Sequence, residues 1–166
     1  AAYALVCHAR PARIVEVGSG HSTRFLARAI ADEGLATELV CIDPAPRAPL
    51  RGLAVRWVED VVQRAPETCF SGLRSGDILF VDSSHILMPG TDVDWLLNRI
   101  LPALAAGVLV HFHDVFLPDP YPESWAWRGY NEQQAIAALL HGRAYDCLFA
   151  SHYVATRLAA RLERLE

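Results

Sequence analysis

The sequence predicts an α/β protein with a doubly wound, mostly parallel sheet and helices on both faces. Three observations predict it. Apolar runs of strand length alternate with helical stretches, tight hairpin signals between them are few, and polar residues interrupt the apolar runs mostly at their carboxyl ends. Strands separated in this way join through crossovers, and crossovers cover the sheet with helices.

The elements follow in order. Residues 1–10 read as a short helix that Pro11 stops. "RIVEVG" is the first strand, and "STRFLARAIADEG" is a helix that Ser22 or Thr23 can cap and Gly34 can close. "TELVCIDP" is the second strand, ending at Asp43 and Pro44, and the Pro-rich link "PAPRAPLRG" follows. "LAVRWVED" is the third strand, and "VVQRAPETCFSGL" is a helix interrupted near Pro66. "GDILFVDSSH" is the fourth strand, "DVDWLLNRILPALAAG" a helix that Gly107 ends, and "VLVHFHDVF" the fifth strand. An irregular "LPDPYPESWAWRG" leads to a helix, "YNEQQAIAALLHG", and the strand-like "YDCLFASHYVA" comes last. No internal repeat or low-complexity tract breaks the series.

Bulk properties narrow the function. With 166 residues, 52% hydrophobic and 20% charged, the chain fits one globular domain over 1–166. No apolar run reaches the roughly 20 residues of a membrane span. A net charge of −4 without a basic cluster gives nucleic acid little to bind. All 15 cationic residues are Arg, so no Schiff-base or P-loop lysine exists. Cys7, Cys41, Cys69 and Cys147 form no C-x-x-C pair and read as free thiols of a reducing cytoplasm. The opening "AAYALVCHAR" lacks a secretory signal. Met88 is the one methionine, so an upstream segment is expected to be missing.

In sheets of this kind ligands bind beyond the carboxyl ends of the strands. Those ends carry Glu16, Gly18 and Gly20, then Asp43, then Glu59 and Asp60, then Asp82 and His85, and finally His113 and Asp114. Acids and imidazoles on one rim predict a ligand crevice. In the turn "GSG" Gly18 and Gly20 fit a dinucleotide fingerprint, but Thr at position 23, where a third glycine belongs, and the acid two residues before Gly18 weaken that reading. A phosphate-binding Walker loop is excluded by the absence of lysine. Asp43, at the end of the second strand, suits a carboxylate that accepts hydrogen bonds from ribose hydroxyls. A nucleoside without a pyrophosphate is the predicted ligand.

"VEVGSGHS", "CIDP", "VED", "GDILFVDSSH" and "GVLVHFHDVFLP" together resemble the class I S-adenosylmethionine-dependent methyltransferases, over residues 12 to 155. Within them the chain looks most like a subgroup of metal-dependent sugar and macrolide O-methyltransferases and uncharacterised bacterial proteins. The resemblance implies a Rossmann-like fold. It implies that Glu16, Gly18, Ser19 and Gly20 form the loop around the methionine part of S-adenosylmethionine. Asp43 would hold the ribose and Glu59 or Asp60 the adenine amine, with Asp82 also in the cofactor set. The third glycine of the family loop is Ser22 here.

Two motifs carry the expected chemistry. Asp82 and Asp114 end neighbouring strands, and strands about 4.8 Å apart let both carboxylates face one ion. Oxygen ligands suit Mg²⁺ or another hard divalent cation, whereas His113 suits a softer one. In the metal-dependent relatives, acids at these two strand ends hold the ion that binds substrate hydroxyls. His85 is the candidate base, with Asp82 beside it in the catalytic set, because an imidazole with an ordinary pKa near 6.5 takes a proton well at neutral pH. Trp125, Trp127 and Tyr130 lie in a loop too long for a simple connector and either stack on an acceptor or pack the loop. The expected acceptor is a small hydroxylated molecule, a sugar first and a catechol-like phenol second. A homo-oligomer is compatible with the sequence. The alternatives are an NAD-dependent oxidoreductase and a non-catalytic nucleoside-binding module.

Overall fold

The computed structural model describes residues 1–164. The final two positions of the predicted domain lie outside the described residues. The chain forms two compact units, Ala1–Ser84 with Met88–His113, and His85–Leu87 with Asp114 onward.

The first unit is built on five strands, β1 (Arg13–Val17), β2 (Glu38–Ile42), β3 (Arg56–Val58), β4 (Ile78–Val81) and β5 (Leu109–Phe112). Their order is β3-β2-β1-β4-β5 and every pairing is parallel. Strands β1, β2 and β4 are continuous apolar runs, apart from Glu16 and the terminal Arg13 and Glu38, as burial on both faces demands. Ile14, Leu39, Cys41, Ile78 and Phe80 share one buried cluster with Val6, Leu26 and Ala29 of the helices. The alternate residues Val15, Val17, Val40, Ile42, Leu79 and Val81 are equally buried, so the sheet is covered on both faces.

Helix α1 (Ala2–Ala9) ends where Arg10 turns left-handed and Pro11 cannot continue it. Helix α2 (His21–Asp32) starts from Gly20 and buries Thr23, Leu26 and Ala29, three residues apart on one stripe. The predicted helix near Pro66 is divided into a 3₁₀ turn (Val62–Arg64) and a short α3 (Thr68–Ser71). From Asp92 to Ala103 the chain is helical throughout, as α4 (Asp92–Trp95), a π-helical turn and a 3₁₀ turn, with the Thr91 hydroxyl accepting from the Asp94 N–H. At the amino-terminal edge of the sheet, the buried Asp77 carboxylate accepts the N–H groups of Arg13 and Arg74, each at 2.8 Å.

The second unit carries a 3₁₀ segment (Glu123–Arg128) and helices α5 (Glu132–His141), α6 (Ser151–Arg157) and α7 (Ala159–Leu162). The strand expected over "YDCLFASHYVA" is absent: residues 145–150 have no regular structure and 151–157 are helical. Short apolar runs fit strand or helix alike, and packing arbitrates. Leu148 and Phe149 are 77% and 64% exposed, so no sheet face holds them.

Gly18, directly after β1, has φ +82°. A Cβ there would overlap the carbonyl oxygen of Asp82 at the end of β4. Gly18→Ala is therefore expected to lower stability by at least about 2 kcal/mol, from left-handed strain and overlap together, read as the urea unfolding midpoint.

Candidate functional site

The register of the sheet aligns the last residues of its strands. Val58, Ile42, Val17, Val81 and Phe112 lie in one row across all five. The ladder continues one residue further, with N–H groups of Asp43, Gly18, Asp82 and His113 donating to Val58, Ile42, Val17 and Val81 at 2.8–3.1 Å. Parallel pairing thus sets Asp43, Gly18, Asp82 and His113 side by side beyond the carboxyl edge. The strand order reverses between β1 and β4, so Gly18 and Asp82 flank the switch point where such sheets bind ligands.

The turn after β1 is held from below and from the side. The N–H of Gly20 donates to Thr23 Oγ1 at 2.8 Å, and that hydroxyl donates to Glu16 Oε2 at 2.6 Å. Cys41 Sγ also reaches Glu16 Oε2, at 3.4 Å. Glu16 is fully buried, and burial pushes its carboxyl up to about 7 against the hydrogen bonds from Thr23, Ser22 and Cys41. Burial, with Glu16 beside it, pushes the Cys41 thiol upward too. Asp43 ties the turn to β2: its Oδ2 accepts the Ser19 N–H at 2.6 Å and its Oδ1 the Ala45 N–H at 2.7 Å. The N–H of Arg47, in the Pro-rich link, donates to the Ser19 carbonyl at 3.0 Å.

These residues fit a nucleoside cofactor. The Ser19 Oγ is buried without a hydrogen-bond partner, an arrangement that a ligand group would satisfy. Asp43 is half-buried, and each carboxylate oxygen keeps a second lone pair beyond its backbone bond. Further along the edge Glu59 is exposed, while Asp60 Oδ1 accepts the Val61 N–H and the Arg64 guanidinium, which hold its carboxyl below the usual range.

A metal site is not supported by the structure. Asp82 Oδ1 and His113 Nδ1 stand 3.6 Å apart, but among the described residues no three His, Cys, Asp or Glu side chains converge as a metal site. Asp114 follows His113 with φ +54°, and its Oδ2 is 3.9 Å from His85 Nε2. Successive strand residues point to opposite sides, and the left-handed turn at Asp114 ends the extended run. His111, one alternation away from His113, stacks on Phe80 with ring centroids 4.1 Å apart, and burial pushes its imidazole down to about 4.

His85 is buried in the second unit, at φ +60°. Its Nδ1 lies 2.9 Å from Oε2 of Glu132, itself fully buried. Its carbonyl accepts the N–H groups of Asn131 and Glu132 at the start of α5, at 3.1 and 3.3 Å. The Asn131 amide brackets Leu87, accepting its N–H at 2.6 Å and donating to its carbonyl at 3.2 Å. Asn131 and Glu132 were not singled out by sequence reasoning. The signal was an Asn N-cap followed by an acid in the first turn, which reads as ordinary helix initiation.

Trp125 and Tyr130 are packed, with centroids 6.0 Å apart, and Trp125 lies edge-on to Phe116 at 5.2 Å. The Arg128 guanidinium sits over Trp125, Trp127 and Tyr130 at 4.3, 5.0 and 5.4 Å. Trp127 is 80% exposed.

Buried Glu16 and His111 tilt stability with pH in opposite senses. Between its ordinary 4.5 and about 7, the folded Glu16 keeps a proton that the unfolded chain releases. Its contribution is full below about pH 4.5 and lost as pH rises through 7. Folded His111 refuses a proton that the unfolded chain takes up between 6.5 and about 4, so its contribution is lost as pH falls through that window. Glu16→Gln is expected to gain on the order of 3 kcal/mol relative to wild type between pH 4 and pH 8. Urea denaturation at both pH values measures it; an unchanged difference would show that Glu16 titrates as it does in the unfolded chain.

Comparison with known proteins agrees with this geometry. No curated protein matches the chain. A family model described as a methyltransferase domain matches residues 15–115, from β1 through the row of strand ends to the residue after Asp114. With more than half of the sequence matched and a five-stranded parallel Rossmann-like sheet beneath it, the chain belongs to the methyltransferase-domain family, whose class I members use S-adenosylmethionine.

Proposed function

We propose that this protein transfers a methyl group from S-adenosylmethionine to a hydroxyl of a small molecule, a sugar or a catechol-like phenol, with His85 as general base. The observation that carries the reading is the aligned row of Asp43, Gly18 and Asp82 at the switch point of a methyltransferase fold. The base assignment draws support from the burial of His85 and from its place three residues past Asp82 on the chain leaving β4.

Asp43 accepts hydrogen bonds from the ribose hydroxyls with the lone pairs its backbone bonds leave over, and Ser19 Oγ bonds the cofactor from within the turn. Gly18 and Gly20 admit the cofactor close to the backbone. S-adenosylmethionine, when bound, supplies a methyl on a sulfonium. That methyl would pass to the acceptor oxygen as the S–CH₃ bond gave its electron pair back to sulfur, and His85 Nε2 would take the acceptor's O–H proton. Asp114 Oδ2, 3.9 Å from that nitrogen, favours the imidazolium so formed. Trp127 offers an exposed ring on which an acceptor stacks.

Calorimetry with S-adenosylmethionine, its demethylated product and NAD tests the cofactor. Binding of the two nucleosides is expected, and binding of NAD alone would overturn the reading. Asp43→Asn is expected to weaken nucleoside binding by about 1.5 to 3 kcal/mol, the scale of hydrogen bonds to a charged group. Turnover is then followed with methyl-labelled cofactor and a panel of methyl hexosides and catechols. His85→Gln is expected to lower kcat by about 10² to 10⁴ with cofactor affinity retained. Full turnover by that variant would remove His85 from the chemistry. The same assay is expected to proceed in EDTA; its arrest, restored by Mg²⁺, would return a metal to the mechanism.

A further inference from the structure

We infer that Glu132 is a positioning residue for His85, fixing the proton on Nδ1 so that the lone pair of Nε2 is the basic one. The inference deepens the proposed function and rests on its assignment of His85 as base. Three observations within the second unit carry it.

The first is the contact itself. His85 Nδ1 and Glu132 Oε2 are 2.9 Å apart with both side chains about 1% exposed. A carboxylate can only accept, so Nδ1 must donate, and the neutral imidazole then has its lone pair on Nε2. Glu132 occupies the first turn of the ten-residue helix α5, where the helix dipole favours an anionic carboxylate.

The second is that backbone and side chain of the two residues are locked together. The His85 carbonyl receives the N–H groups of Asn131 and Glu132 while the His85 ring meets the Glu132 carboxylate. Asn131 clamps Leu87 at both its N–H and its carbonyl. Segment 85–87 is thereby stapled to the start of α5, which keeps His85 at φ +60°, a conformation that a non-glycine residue adopts only when its surroundings impose it.

The third is what surrounds the ring. Tyr130 lies against it with centroids 4.5 Å apart, and Asp114 Oδ2 stands 3.9 Å from Nε2. Carboxylates thus face both ring nitrogens, one in hydrogen-bonding contact and one beyond it. The geometry distinguishes their roles: Glu132 orients the ring and Asp114 attracts the charge that a proton on Nε2 creates.

The test is nitrogen-15 NMR of the full chain with labelled histidine, at a pH where His85 is neutral, with resonances assigned by comparison with His85→Gln. The wild type is expected to show protonated Nδ1 and unprotonated Nε2, and Glu132→Gln is expected to shift the ring toward a mixture of tautomers and lower the pH at which it protonates. A wild-type ring protonated on Nε2 overturns the inference, whether or not any variant folds. So does a Glu132→Gln ring with unchanged tautomer and unchanged titration. The second result leaves the base assignment standing, which falls if His85→Gln turns over at the wild-type rate; the first also removes Nε2 as the acceptor of the proton.

Discussion

The close approach of β1 and β4 at the switch point is the constraint on which the rest of the first unit depends. Gly18 leaves β1 against the carbonyl of Asp82, in a left-handed conformation and with no room for a Cβ. That approach sends the chain into α2 directly from the turn and keeps the Asp82 and Gly18 backbones in one row with Asp43 and His113. A side chain at position 18 would push the turn away from β4 and disturb the one place where the helical connections diverge to opposite sides of the sheet.

Beneath that turn lies a polar chain in an otherwise apolar core. Gly20, Thr23, Glu16 and Cys41 are linked by hydrogen bonds inside a region where most neighbours are aliphatic. The carboxyl costs desolvation, which is why burial dominates its raised pKa. In return the relay holds the N–H of Gly20, at the start of α2. Asp43 acts from the other side through the Ser19 N–H, so the turn is shaped by two acids of different exposure, one buried and one open to a ligand.

In the second unit the organising element is the start of α5. Asn131 and Glu132 gather the carbonyl and ring of His85 and both backbone groups of Leu87. Orphan N–H groups at a helix start need acceptors, and here the acceptor is the backbone of the histidine whose side chain the same helix orients. Aromatic packing of Phe116, Tyr121, Trp125 and Tyr130 supports the segment that precedes α5, and Arg128 is held by the faces of three rings.

The sequence by itself determined the strands, their parallel pairing and the row of strand-end residues, because these follow from local features. Continuous apolar runs mark doubly buried strands, a glycine pair marks the turn, and the polar residue that ends each run marks the edge. The role of Asp43 toward the turn, the rise of the Glu16 carboxyl and the partnership of His85 with Glu132 were decided only by the tertiary structure. Positions 85 and 132 are 47 residues apart, and no periodicity connects them. The same limit explains one misreading. The apolar residues of 145–155 predicted a strand, but Leu148 and Phe149 stay exposed and the segment coils and turns helical. That the Asp114 carboxylate stands 3.9 Å from His85 Nε2 is likewise a contact no local pattern foretells. Local propensity fixes where a residue sits along the edge of a sheet, whereas the direction of its charge depends on backbone turns and distant contacts that exist only once the chain has folded.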